Sequence, residues 1–153
     1  MSLPASTRYL VIRDALYALL HDHANLSTVV TWCKELHSFA EVQSAGAFPI
    51  VAVVLADQIS DAAWNLSGGT RDYHYRFEIH VAVMDLTSPQ TCQDSLLQYL
   101  EAIENILQSD QTWGGSVTQS WGQTTEWLMG RDDKQASYIA AGVITLEARA
   151  RKL

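Results

Sequence analysis

One run of strict alternation constrains this chain more than any other feature. Between Arg71 and Asp85, the residues Tyr73, Tyr75, Phe77, Ile79, Val81 and Val83 alternate with Asp72, His74, Arg76, Glu78, His80 and Ala82. Successive side chains of a strand point to opposite faces, so the pattern predicts one half-buried β-strand. At roughly 3.3 Å per residue the run spans about 50 Å, whereas a usual strand has about five or six residues. A sheet about 20 Å across leaves part of such a ribbon bare. Bare apolar residues need cover, and a neighbouring copy is the simplest source of it. A twisted hairpin folded back onto its own domain is the alternative.

The remaining elements fall around this strand. Tyr9, Ile12, Leu16 and Leu19 have helical spacing, which predicts a first helix over about 5–22. Val29-Val30-Thr31-Trp32 reads as a short strand, and Cys33 to Ala47 as irregular chain. The β-branched run from Ile50 to Leu55 predicts a strand covered on both sides, followed by a turn at Leu66-Ser67-Gly68-Gly69-Thr70. Ser88-Pro89 opens a second helix, with serine as N-cap and proline at the first helical position. Cys92, Leu96, Tyr99 or Leu100, Ile103 and Leu107 mark its buried face, and the pattern stops at Ser109-Asp110. Two strands follow, Val117 to Leu128 and Ser137 to Arg149, joined by a polar loop over 129–135. In the first of these, Val117, Trp121, Thr125 and Trp127 are expected on one side.

Hairpin-length links predict an α+β fold: an antiparallel sheet of four to five strands, two helices packed on one face, and a long projecting β-hairpin. Residues 1–153 suit one domain.

Motifs for chemistry are lacking. There is no Gly-x-Ser-x-Gly elbow, no phosphate-cradling Gly-x-x-x-x-Gly-Lys-Ser/Thr and no His-Glu-x-x-His. His21-Asp22-His23 offers two imidazoles and a carboxylate but suggests no further ligand, and most zinc sites need three or four. His74, Arg76, Glu78 and His80 share one strand face; they read as a charge ladder turned to solvent or to a partner. Cys33 and Cys92 fit no metal spacing and read as buried free thiols. No catalytic residue, metal or cofactor is expected.

Seventeen acidic residues against ten basic ones give a formal charge of −7, which excludes a general nucleic-acid binder. An apolar stretch long enough to span a bilayer is missing, and the N-terminus lacks a signal peptide's apolar centre, so residence in a cytoplasm is expected. Five tryptophans are many for this length, and tryptophan favours protein interfaces. Trp64 beside the hairpin turn, Trp113 beside Gly114-Gly115, and Tyr73 and Tyr75 on the long strand are the interface candidates. Core positions are expected for Trp32, Trp121 and Trp127. Arg131, Asp132 and Asp133 are candidates for loop contacts.

The strand of Phe48-Pro49-Ile50-Val51-Ala52-Val53-Val54, the long strand Tyr75 to Val83, and the helix end Ile103 to Asp110 form a recognisable series. Trp113-Gly114-Gly115-Ser116-Val117 and the closing strand Ile139 to Glu147 complete it. In element order and short patterns the chain resembles the tail terminator (tail completion) proteins of long-tailed bacteriophages over roughly residues 5–150. Such proteins often carry a Leu-Gly-Gly-type turn where Trp113-Gly114-Gly115 stands, and residues 33–47 match nothing in the pattern. The resemblance implies a virion protein, assembled in the host cytoplasm, that forms a hexameric ring through self-association. The ring would cap the tail tube protein, join the head–tail connector proteins and let DNA pass without specific binding. No membrane partner is implied.

Three other readings stand beside it. One is a neck, head-closure or other minor tail ring subunit. Another is a small enzyme or ligand-binding domain using the His74–His80 face. A soluble protein dimerising through a strand edge is the last.

Overall fold

The computed structural model describes residues 8–35, 47–59, 65–66, 70–132 and 137–152, with the backbone alone at several strand ends. The order is α1 (Arg8–His21), a 3-10 turn (Ala24–Leu26), β1 (Thr31–Cys33), β2 (Ile50–Ile59), β3 (Asn65–Leu66) and β4 (Thr70–Asp85). Helix α2 (Pro89–Ser109) and the strands β5 (Gln119–Asp132) and β6 (Ser137–Lys152) follow. The main sheet runs β1-β2-β4-β6-β5, with β3 paired to the start of β4. The fold is α+β, as the sequence pattern predicts.

Two features of the sheet depart from expectation. It is mixed, because β1 runs parallel to β2 with Thr31 opposite Ile50 and Cys33 opposite Ala52. Parallel neighbours need a connection of about a dozen residues or more; residues 34–49, mostly within the segment Cys33 to Ala47 that reads as irregular, are that connection. The long strand is also no lone ribbon. Strand β6 is 16 residues long, like β4, and pairs with it from Arg71 opposite Lys152 to Asp85 opposite Tyr138. Strand β2 flanks its other side from Ile59 to Ile50. The projecting hairpin is not borne out among the described residues: β6 runs beside β4, and Tyr75, Phe77, Ile79, Val81 and Val83 are buried within the chain.

Alternation sorts the sheet into two faces. Val51 and Val53, then Tyr75, Phe77, Ile79, Val81 and Val83, and then Ala140, Ile144, Leu146 and Ala148 all point to the helix side and are buried. Helix α2 covers β4, β6 and β5, and α1 lies over β2. From α1 come Ile12, Leu16 and Leu20; the expected Leu19 is partly buried against the same core, and Tyr9 is 40% exposed. Helix α2 contributes Cys92, Leu96, Leu100, Ile103, Ile106 and Leu107. Burial of a leucine, isoleucine or valine side chain is worth about 1.5–3 kcal/mol, so this single core dominates stability.

Helix α2 is held at both ends by short polar side chains. The Ser88 hydroxyl accepts from the Thr91 N–H at 3.3 Å, and Asp85 Oδ1 accepts from the Ser88 and Thr87 N–H groups, each at 2.8 Å. Past the helix, Asp110 Oδ2 accepts from the Gly114 N–H at 2.8 Å and Oδ1 from the Thr112 N–H at 3.1 Å. These bonds hold a turn in which Trp113, Gly114 and Gly115 all have positive φ, at 50°, 70° and 90°.

The N–H groups of Ser88 and Thr87 hold the Asp85 carboxyl below the usual range, and those of Gly114 and Thr112 do the same for Asp110. A lowered folded-state value gives stability that is present above the ordinary aspartate range and lost as pH falls through the lowered one. Asp110→Asn is expected to melt below the parent at pH 7, with the gap closing towards pH 2. Thermal melts across that range check it.

Strand β5 breaks its ladder at a bulge, where Thr125 falls between Thr124 (opposite Ile144) and Glu126 (opposite Val143). Glu104 of α2 braces the bulge: its carboxylate accepts from the Thr124 N–H at 3.1 Å and from the Thr124 hydroxyl. Hydrogen bonds to charged groups contribute about 1.5–3 kcal/mol when buried, and less in this half-buried place. Glu104→Ala is expected to cost about 1 kcal/mol and to speed amide exchange at Thr124 and Glu126 ahead of the rest of β5. Hydrogen-exchange measurements test that order.

Candidate assembly surface

The site candidates separate by burial. Tyr75 is 0% exposed and Trp113 2% exposed, and both rings lie in the core. Trp113 meets Phe77 edge-on at 5.3 Å, and Tyr75 meets Tyr9 edge-on at 5.8 Å. Their expected place at a subunit contact is corrected, because the aromatic surface is already covered within the chain. Tyr73 lies opposite Ala150, Arg131 opposite Tyr138 and Asp132 opposite Ser137. Arg131 and Asp132 thus belong to β5, not to a loop. Trp64 and Asp133 lie outside the described residues.

His74, Arg76, Glu78 and His80 line the face of β4 turned from the helices, where all four are half-buried. Their opposites on β6 are Arg149, Glu147, Thr145 and Val143. Arg149 Nε donates to His74 Nε2 at 2.8 Å, so the ring accepts through that nitrogen. His80 Nε2 lies 3.4 Å from a Glu78 carboxylate oxygen. Three of the four positions face a polar residue across the strand pair, while His80 faces Val143. At the end of α1, His21 Nδ1 contacts Asp22 at 2.9 Å while His23 Nδ1 accepts from the Asn25 N–H, so these side chains serve local turns. Cys33 and Cys92 are free and buried, and desolvation raises both thiols.

Among the described residues, the exposed large apolar side chains cluster on β5. Trp121 is 43% exposed, Trp127 60%, Leu128 64% and Met129 39%. Neither Trp121 nor Trp127 takes the expected core position, and the bulge puts them on opposite faces. Trp121 lies opposite Glu147 on the open face, yet Trp127 lies opposite Gly142 on the helix side, beyond the cover of α2. Leu128 returns to the open face opposite Ala141. Both faces of this stretch are therefore bare. Strand β5 ends the sheet order and pairs only with β6 among the described residues. Between Gln119 and Gly130 its one charge is Glu126. The signal available in the sequence was Gln123-Thr124-Thr125, a polar interruption between two tryptophans, but nothing there announces a bulge.

No family model matches the chain, and no curated protein matches it. Among solved structures, it is similar to a chain in the virion of a native gene transfer agent particle. That similarity covers 91% of this chain and 95% of the other, at 13% identity and a TM-score of 0.44. No described helix is long and apolar enough to cross a membrane.

Proposed function

We propose that this protein is a non-catalytic virion subunit that works by self-assembly, in the manner of the phage tail terminators its sequence resembles. One observation carries the assembly reading: a 14-residue edge strand whose exposed side chains include Trp127, Leu128 and Met129. An apolar edge of this length with a single charge along its apolar part is a template for pairing, and proteins that must stay soluble either blunt such an edge or cover it. A closed ring covers it in every copy, since a heterologous contact that closes leaves no free end. The resemblance supplies the finer role: a hexameric ring that caps the tail tube and joins it to the head connector. A net charge of −7 suits a ring through which DNA passes without sticking.

Electron microscopy of the purified protein mixed with tail tubes tests the role. Rings seated on tube ends are the expected result. Rings that form but ignore tubes would move the protein to another place in the neck or tail.

A further inference from the structure

The open face of the sheet holds a concavity of about 440 Å³ between β5 and β6, away from the apolar stretch at 127–129. Its lining includes Trp121, Gln123 and Thr125 from β5 and Thr145 and Glu147 from β6. Register places Trp121 opposite Glu147 and Gln123 opposite Thr145, so the positions are fixed by two paired strands. The Thr125 and Thr145 hydroxyls lie 2.9 Å apart and bond to each other. Glu147 makes no hydrogen bond or ion pair among the described residues.

We infer that this concavity receives an arginine side chain from a protein partner. Its lining carries one formal charge, the Glu147 carboxylate, and that charge is unmatched. Beside it the 43% exposed Trp121 offers an indole face, and Gln123 and the threonine pair offer oxygen acceptors. A flat π-surface beside an unmatched carboxylate suits a planar cation, which stacks on the ring and donates two parallel N–H bonds to the carboxylate. Guanidinium fits better than ammonium, because it is planar and less strongly hydrated. Anions find no cation in the lining, and an apolar ligand would strand the carboxylate. Of the cations on this face, Arg149 donates to His74, and Arg76 stands opposite Glu147 on β4, outside the concavity's lining.

The test uses the intact protein labelled with fluorotryptophan, with the Trp121 resonance assigned through Trp121→Phe. N-acetyl-arginine amide is titrated in low salt against N-acetyl-citrulline amide, which has nearly the same shape but no charge. A saturable shift of Trp121 with the arginine compound is expected, along with no saturation by citrulline. Glu147→Gln, a nearly isosteric change at a half-buried position, is expected to weaken the arginine response at least about tenfold. Three results would overturn the inference: equal response to citrulline, an unaltered response in Glu147→Gln, or saturation by methyl glucoside in place of arginine. The arginine and citrulline titrations are both read on the wild-type protein, so misfolding of Glu147→Gln cannot blur that comparison.

Discussion

Trp113→Ala is expected to cost about 3–5 kcal/mol, the range for removing a buried aromatic ring from a core that closes only partly over the gap. Small domains have about 5–15 kcal/mol in total, so the variant should sit near the edge of folding at 37 °C. The ring is 2% exposed and edge-on to Phe77, and it joins the turn after α2 to the middle of β4. Its backbone adds a second, separable effect. At φ 50° a residue with a Cβ pays about 1–2 kcal/mol that glycine does not. Trp113→Gly should therefore be less damaging than Trp113→Ala by about 1 kcal/mol, reversing the order usual in regular structure. Urea unfolding of both variants checks the sign. An alanine variant as stable as the glycine one would show that the left-handed turn is not required.

The second large effect is on assembly. Trp127→Glu combined with Leu128→Lys should leave the protomer folded, since both side chains are more than half exposed and such surface changes shift stability by about 0.5 kcal/mol or less. Buried tryptophan at an interface typically contributes about 2 kcal/mol or more, roughly thirtyfold in a dissociation constant. Charges placed on both faces of an edge strand also oppose pairing. The double variant is thus expected to be a folded monomer by sedimentation, with a circular dichroism spectrum like the parent's. Unfolding of that variant would place Trp127 and Leu128 in the core. Unchanged assembly would move the contact away from β5.

Much of the fold was legible because its strongest signals are periodic. The alternation from Tyr73 to Val83 predicted β4 to within a residue, and Ser88-Pro89 with the spacing from Cys92 to Leu107 predicted α2. What failed was whatever depends on a partner strand. The length of β4 was read as an overhang because nothing in residues 137–152 states that they run beside all of it. The parallel β1–β2 pair was hidden for the same reason: a long connection looks alike whether it returns antiparallel or crosses over.

The surface was less legible than the fold, and for a different reason. Aromatic residues suit cores and interfaces equally, so composition alone could not sort the tryptophans. Trp113 looked exposed because it adjoins two glycines, yet the Asp110 side chain closes that turn and tucks the ring inward. Trp127 looked buried because it shares the parity of Trp121, and a single extra residue at Thr125 turned it to the other face. One bulge thus decides which side of the sheet a large apolar group occupies.

Self-association is the claim on which the rest depends, and native mass spectrometry of the intact protein across a range of concentrations tests it most directly. A chain of 17.0 kDa that covers its β5 edge in a closed ring should give one dominant species at the hexamer mass, with no ladder of larger forms. A species that stays at 17.0 kDa at every concentration would contradict it, because the apolar edge would then be standing bare in water.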